Sequence, residues 1–258
     1  MKLWKFHGKI YGTDDVKDCL RTLGITEGDS LCVHSELFRF GAPMLPKDSF
    51  NQAICQTLLE LCGENGNLLI PTFTYSFCCN EVFDVLHSRS RVGMLGDSFL
   101  QMPHVRRTHC PIFSFAFKGT LSDTFMDIGI EVLGKDSIFD KLLCHNAKII
   151  TFGNPYLGYT FVHFLETIAN VPYRFDKNFS GIIRDESGKE SAANIIYRVR
   201  HLEQRSELDY RKVAHFLIDL GILRLAKCAG GTIGIMESQR VSEAILRALA
   251  KDYAAFLL

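Results

Sequence analysis

The chain has 258 residues, of which 47% are hydrophobic and 22% are charged, an ordinary composition for a globular protein. Its 29 lysines and arginines equal its 29 aspartates and glutamates, so it lacks the basic excess typical of nucleic-acid-binding proteins. The nine cysteines contain no Cys-x-x-Cys pair, and neither a signal peptide nor a membrane-spanning run is recognisable. We therefore expect a cytoplasmic protein with reduced thiols and no partner among nucleic acids or membranes.

Strand and helix patterns alternate along the chain. Helices are predicted at 13–24, 47–62, 94–101, 136–144, 159–169, 208–220 and 238–256. Strands are predicted at 30–34, 68–70, 113–118 and 148–152, and residues 175–191 are predicted to form a hairpin turning at Ser187-Gly188. This alternation predicts an α/β fold with a central mixed β-sheet flanked by helices. Because no linker or repeat interrupts it, a single domain over 1–258 is expected.

The most informative stretch is the helical segment that contains Thr160, His163 and Glu166. Residues three apart share a helix face, so these side chains lie along one stripe. A carboxylate one turn from an imidazole can fix its tautomer and raise its basicity, which a general base requires. A core histidine satisfied by its neighbour fits the same pattern. A di-iron site would need a second such motif and further glutamates, so we expect no metal.

Two further stretches could bind a cofactor. Residues 33–41 predict a strand running into a turn, and ligands often bind at the carboxyl end of such strands in α/β sheets. Arg106, Arg107 and Thr108 could hold phosphates, although a solvated basic turn is an equal alternative. Cys110 follows His109 on a predicted extended segment, where adjacent side chains point apart, so a thiol–imidazole pair is disfavoured.

Several matching segments identify a family resemblance. These are Gly28–Gly41 (GDSLCVHSELFRFG), Gly66–Tyr75 (GNLLIPTFTY), Gly93–Phe99 (GMLGDSF), Arg107–Gly119 (RTHCPIFSFAFKG) and Gly153–Tyr173, which contains T-x-x-H-x-x-E followed by VPY. In this order and spacing they resemble the aminoglycoside 3-N-acetyltransferase family, whose α/β fold differs from that of the GNAT acetyltransferases. The segments cover most of residues 10–190.

The resemblance implies direct acyl transfer from acyl-CoA, by default acetyl-CoA, to a small-molecule amine, in a protein that could form a homo-oligomer. His163 would be the base and Glu166 its supporting carboxylate. The resemblance also implies coenzyme A contacts, from His34, Ser35, Leu37, Arg39, Gly41, Arg107 and Thr108. Contacts with the acceptor are expected from Tyr75, Asp97 and Thr160.

Two departures from the family pattern bear on the function. Cys110 stands where the family usually has histidine, and the connection 76–92 is short, with only Glu81 and Asp84 as acids. A polycationic antibiotic needs an acidic pocket. The sequence therefore favours a nucleotide-linked amino-deoxysugar, as used in surface-polysaccharide synthesis, over an aminoglycoside antibiotic as the acceptor. A non-catalytic coenzyme-A-binding relative and a thiol-dependent enzyme are the alternatives.

Overall fold

The computed structural model describes all residues from 1 to 258. The strands are β1 Lys2–Phe6, β2 Lys9–Gly12, β3 Ser30–Ser35, β4 Ala42–Pro43, β5 Asn67–Pro71, β6 Phe83–Asp84, β7 Arg106–Arg107, β8 Phe115–Gly119, β9 Lys148–Gly153, β10 Arg174–Arg184, β11 Glu190–Arg200, β12 Arg224–Cys228 and β13 Gly231–Glu237. The α-helices are α1 Thr13–Thr22, α2 Lys47–Cys62, α3 Met94–Leu100, α4 Ser122–Met126, α5 Ile138–Cys144, α6 Thr160–Ile168, α7 Tyr210–Asp219 and α8 Ser238–Lys251.

A seven-stranded sheet in the order β12-β13-β9-β3-β5-β8-β7 forms the centre of the molecule. Strand β3 runs parallel to both β5 and β9, whereas the other neighbouring pairs are antiparallel. The predicted α/β fold with a mixed sheet is therefore confirmed. The parallel strands β3, β5 and β9 end at the same edge of the sheet, where the connections to following elements leave room for ligands.

Hydrophobic side chains on alternating strand positions build a core on each face of this sheet. Leu31, Val33 and Ile150 belong to the core that is covered by α1, α2 and α3. Cys32 and Ile149, one position away, belong to the larger core that includes residues of α4 to α8. Because successive strand residues point to opposite faces, a fully buried sheet needs apolar residues at nearly every position. This explains the continuous apolar runs of the sequence.

The helix boundaries agree with the sequence pattern to within about two residues, except that α8 ends at Lys251 rather than at 256, and α2 begins and ends where expected, at residues 47 and 62. Local capping explains several starts. The Asp15 carboxylate accepts a hydrogen bond from the Gly12 amide ahead of α1, and Ser137 and Asp209 cap α5 and α7 through their side chains. The predicted hairpin is present but longer than expected, since β10 and β11 have eleven residues each and pair in continuous register.

Two smaller sheets flank the central one, in the orders β2-β1-β4 and β11-β10-β6. Several elements had no counterpart among the predicted ones: strands β1, β2, β4, β6, β7, β12 and β13 and helix α4. No helix has the length and apolar character that a membrane crossing requires. Nowhere do three or more His, Cys, Asp or Glu side chains converge as a metal-binding group.

Candidate active site

Helix α6 carries His163 and Glu166 away from the edge where the parallel strands end. After β9 ends at Gly153, a short connection leads to Thr160, the first residue of α6. Gly158 in this connection has φ +77°, and a Cβ there would lie 2.8 Å from the His34 ring. Only glycine satisfies both conditions without strain. The start of α6 is thereby held against the end of β3.

His163 and Glu166 form a hydrogen-bonded pair. The His163 Nδ1 atom lies 2.8 Å from Glu166 Oε2, and the glutamate side chain is completely buried. Glu166 also accepts hydrogen bonds from the Tyr173 hydroxyl at 2.8 Å and from Arg174 Nε at 2.7 Å. The carboxylate is therefore saturated with donors, as a buried ionised group must be.

The pKa values of the pair follow from this environment. Burial lowers the pKa of His163, and the nearby Arg174 lowers it further, while the bond to Glu166 acts in the opposite direction without reversing the shift. Burial alone would raise the pKa of Glu166, but the hydrogen bonds from His163 and Tyr173 and the positive charge of Arg174 outweigh burial and lower the pKa. Glu166 is thus ionised and His163 is neutral near pH 7, so the imidazole is free to accept a proton.

His163 faces a cavity of about 700 Å³, here called the histidine cavity, whose lining also includes Arg174, Lys177, Arg200 and Tyr210. Its Nε2 atom makes no hydrogen bond within the protein, whereas Nδ1 is engaged. A neutral imidazole with Nδ1–H donating to Glu166 presents a bare lone pair on Nε2. This is the arrangement of a general base beside a ligand pocket.

A second, smaller cavity lies where the parallel strands end. This strand-end cavity, of about 220 Å³, is lined by residues that include His34, Ser35, Tyr75, Thr160 and Tyr210. Tyr210 belongs to both cavities, so they are neighbours. Burial lowers the pKa of His34 to about 4, which keeps its ring neutral. Burial also raises the pKa of Tyr75, so its hydroxyl stays protonated.

A third cavity, the turn cavity, has a volume of about 510 Å³ and a largely apolar lining that includes Trp4, Ser35, Leu37, Gly41 and Phe50. It shares Ser35, Val92, Gly93 and Leu95 with the strand-end cavity. The Trp4 indole Nε1 is buried without a hydrogen-bond partner. The three cavities therefore adjoin in series, from the turn after β3, past the strand ends, to His163.

Six of the predicted cofactor and acceptor residues line these cavities: His34, Ser35, Leu37, Gly41, Tyr75 and Thr160.

Four predicted site residues lie elsewhere, because their side chains are engaged by the fold. Arg39 pairs with Glu36 at 2.8 Å and is half-exposed. Arg107 is buried, with its guanidinium bonded to the carbonyls of Thr72 and Ser88, and burial lowers its pKa to about 10. Thr108 accepts a bond from the Phe115 amide, and Asp97 accepts one from the Ser90 amide in a separate polar depression.

Cys110 is not placed for thiol chemistry. Its side chain is buried outside the three cavities, and its sulfur accepts a hydrogen bond from the Phe113 amide. Burial raises the pKa of Cys110 to about 11, so the thiolate is scarce at neutral pH. The neighbouring His109 points to the hairpin, where it pairs with Glu186 at 3.0 Å.

Sequence reasoning missed the residues that close the site around His163, chiefly Tyr173, Arg174 and Tyr210. Tyr173 and Arg174 follow the helix after a short turn, and Tyr210 begins α7. The VPY tripeptide and the arginine after it were the available signal, since an arginine close to a buried glutamate is a natural ion-pair partner.

Comparison with known proteins assigns the chain to a family. Residues 32–250 match the family described as aminoglycoside 3-N-acetyltransferase. Aminoglycoside N(3)-acetyltransferase III of Serratia marcescens is 25% identical over 174 residues, which are 59% of this chain and 63% of that protein. The Acinetobacter baumannii enzyme of the same name is 22% identical over 182 residues, 61% of this chain and 60% of the relative. The match thus spans less than two thirds of either relative.

Solved structures share the fold over nearly the whole chain. Sisomicin-bound AAC-VIa superposes with a TM-score of 0.80 at 18% identity, covering 93% of this chain and 98% of the other. Aminoglycoside acetyltransferase AAC(3)-Xa gives a TM-score of 0.80 at 18% identity, with 93% of each chain covered. AAC-IIIb in a binary complex with CoASH gives 0.78 at 18% identity, covering 93% and 97%. From the family match over most of its length, the chain belongs to the aminoglycoside 3-N-acetyltransferase family.

Proposed function

We propose that this protein is an acetyl-CoA-dependent N-acetyltransferase that acylates an amino group of an amino-sugar acceptor, with His163 as the general base. The observation that carries the proposal is the buried His163–Glu166 pair, because His163 lines a cavity that neighbours the strand-end cavity and its Nε2 has no hydrogen-bond partner in the protein. The proteins that this chain resembles are named aminoglycoside N(3)-acetyltransferases, which perform this type of transfer.

In the proposed reaction, His163 moves one proton. An amine that is protonated in solution must lose a proton before its nitrogen can attack the thioester carbonyl. Nε2 of His163 takes the proton from the attacking nitrogen, while Nδ1–H continues to donate to Glu166, which stabilises the imidazolium that forms. The carbon–sulfur bond of the thioester breaks, the imidazolium of His163 gives its proton to the leaving coenzyme A thiolate, and the second proton of the former ammonium group passes to solvent. No acyl-enzyme forms, which agrees with the buried, protonated state of Cys110.

The turn and strand-end cavities fit an acyl-CoA. The apolar lining of the turn cavity suits the pantetheine arm. Ser35, Leu37 and Gly41 would hold this arm, and His34 and Ser35 would lie near the thioester. AAC-IIIb, a structural neighbour, has been solved with CoASH, which supports this cosubstrate.

The acceptor expected from the comparisons is an aminoglycoside. The names of the relatives carry that substrate, and neighbouring structures contain sisomicin, a gentamicin or apramycin. They favour it over the nucleotide-linked amino sugar expected from the sequence.

One observation keeps the nucleotide-linked amino sugar as a second candidate. The strand-end cavity has no carboxylate in its lining, and the histidine cavity offers only Glu203 and Glu207 beside Arg174, Lys177 and Arg200. Such a lining lacks the acidic excess that a polycation requires.

A panel of acceptors tests both parts of the proposal. Thiol release from acetyl-CoA is measured with gentamicin-type compounds, with UDP- and dTDP-linked amino sugars, and with matched sugars that lack the amino group. We expect release to depend strictly on the amine. Turnover on gentamicin-type compounds alone would reject the nucleotide-linked acceptor, and turnover on the nucleotide sugars alone would reject the antibiotic. Binding of coenzyme A without turnover on any amine would identify a non-catalytic relative.

A further inference from the structure

One guanidinium contacts both members of the proposed dyad. Arg174, the first residue of β10, donates from Nε to Glu166 Oε2 at 2.7 Å, and its Nη2 lies 2.7 Å from His163 Nδ1. Its third nitrogen, Nη1, donates to the Arg198 carbonyl at 3.2 Å. Only 3% of the side chain is exposed, so each nitrogen is held by the fold rather than by solvent.

This arrangement puts a donor and an acceptor on the same imidazole nitrogen. The carboxylate of Glu166 approaches Nδ1 at 2.8 Å and can only accept, whereas the guanidinium approaches it at 2.7 Å and can only donate. If Nδ1 carries the proton, it bonds to Glu166 and Nε2 is bare. If Nδ1 is bare, it accepts from Arg174 and the proton sits on Nε2, which then cannot act as a base. A doubly protonated ring satisfies Glu166 but places two cations in contact.

We infer that Arg174 is a positioning residue that holds Glu166 ionised as the acceptor for Nδ1–H and keeps His163 neutral. The inference rests on the proposed function of His163. Arg174 holds the carboxylate ionised through Nε and opposes a charged imidazole through Nη2. It therefore does two things for the reaction: it leaves the base unprotonated near pH 7, and it favours prompt release of the proton to the leaving thiolate.

Apart from Glu166, no other charged or titratable group around His163 contacts the imidazole as Arg174 does. Tyr173 bonds to the far oxygen of Glu166, and Arg200 and Glu207 face each other across 4.0 Å at the rim. The remaining titratable or charged groups of the cavity lining are Lys177, Tyr197, His201, Glu203 and Tyr210. None of these makes a hydrogen bond to the imidazole, whereas Arg174 lies within bonding distance of it.

The pH profile of kcat/KM tests this role. In Arg174→Gln the cation is lost, so the imidazolium becomes easier to form and the pKa of His163 rises. The acid limb of the profile should move to higher pH by about one unit, and kcat should fall. Arg174→Lys keeps a cation without the forked geometry, and its limb should lie nearer to that of the wild type.

Arg198→Gln is the matched control, because Arg198 lies on the adjacent strand and bonds to Asn170 and Asp176 but not to the dyad. Its acid limb should coincide with the wild-type limb. A lower rate in Arg174→Gln with an unmoved limb would show a merely structural role and overturn the inference. If Arg174→Gln does not fold, Arg174→Met, which also removes the cation but keeps an unbranched side chain, decides in the same way.

An NMR titration separates this inference from the proposed function. The imidazole signals of His163 are assigned by comparison with His163→Gln, and their pKa is followed in the wild type and the Arg174 variants without any substrate. A higher pKa of His163 in Arg174→Gln is expected whether or not the acceptor has been identified. An unchanged pKa would reject the role of Arg174, whereas a shifted pKa without amine acetylation would reject the proposed function alone.

Discussion

Two buried arginines, Arg107 and Arg174, show how differently the same side chain can be used. Both are almost inaccessible to solvent. Arg107 bonds mainly to backbone carbonyls and to Ser114, and it lies over the Phe83 ring. Arg174 bonds to a carboxylate and approaches an imidazole beside a cavity. The first joins segments of the fold, while the second contacts the histidine that we propose as the general base. Burial alone therefore does not distinguish structure from chemistry, but the partners do.

The proposal that the site around Arg174 carries out chemistry is tested most directly by His163→Ala. Since the base is lost, acetyl-CoA-dependent acylation should fall by about 10³-fold while the fold is retained. The rate is measured as amine-dependent thiol release, and folding by circular dichroism.

His109→Ala is the matched control, because His109 lies near Arg107 in the chain and pairs only with the exposed Glu186. It should keep the wild-type rate. Full activity of His163→Ala would remove His163 from the mechanism.

A second prediction concerns the carboxylate between Arg174 and His163. Glu166→Gln replaces an ionised acceptor with an amide, so the imidazolium loses its counter-charge and the rate should fall by about 10²-fold. Glu203→Gln, in the same cavity but outside the dyad, should change the rate far less. Equal losses in the two variants would mean that Glu166 only contributes to the general charge of the pocket.

Glu166 also gives a pH-dependent contribution to stability. Its pKa is lowered in the folded protein, so its stabilising contribution is present above the unfolded pKa of about 4.3 and is lost as the pH falls through the folded pKa. The advantage of the wild type over Glu166→Gln in free energy of unfolding should therefore shrink on acidification. Urea titrations at several pH values measure it, and a difference that grows toward acid pH would contradict the assignment.

Because Arg107 bonds only to the fold, we expect its replacement to lower stability without lowering the rate of acetyl transfer. Arg107→Met leaves buried carbonyls without a donor, so the free energy of unfolding should fall by about 2–4 kcal/mol. The rate per folded molecule should change by less than about twofold. Arg106→Met, next to it but half-exposed, is the control and should cost less than about 1 kcal/mol. A selective rise in KM for acetyl-CoA in Arg107→Met would instead restore Arg107 to the cofactor site.

The smallest effect is expected at Cys110. With its pKa raised to about 11 by burial, only about 10⁻⁴ of the thiol is ionised near pH 7. Cys110→Ala should therefore keep the rate within about twofold, and iodoacetamide should modify the exposed Cys78, Cys79 and Cys144 first. A trapped acyl group on Cys110 would reverse this conclusion.

The sequence predicted the fold well where a pattern was periodic. Strands β3, β5 and β9 were recognisable as apolar runs between turn residues, and α7 and α8 as amphipathic segments. The N-terminal hairpin and the β12–β13 hairpin were missed. Each turn places a non-glycine residue, His7 or Ala229, at positive φ beside a glycine, and β13 contains one internal glycine, Gly234, which weakens the strand pattern.

The site could be predicted only in part, because a spacing on one helix is local information and a partner on another strand is not. T-x-x-H-x-x-E placed His163 and Glu166 on one face, as the structure shows. The roles of Arg107 and Arg174 depend on which groups their long side chains contact after folding, and neither motif nor composition specifies these contacts. Arg107 precedes Thr108 and His109 in a segment that resembles the family, yet its guanidinium points into the protein and donates to the Thr72 carbonyl.

Trp4 has a practical consequence for studying this protein. It is the single tryptophan of the chain, it lies in the wall of the turn cavity, and it packs against Phe40 and Phe50. Indole emission responds to the polarity of its surroundings and to new hydrogen bonds at Nε1. A titration with acetyl-CoA followed by intrinsic fluorescence therefore tests the proposed occupancy of the turn cavity with neither an engineered probe nor a turnover assay.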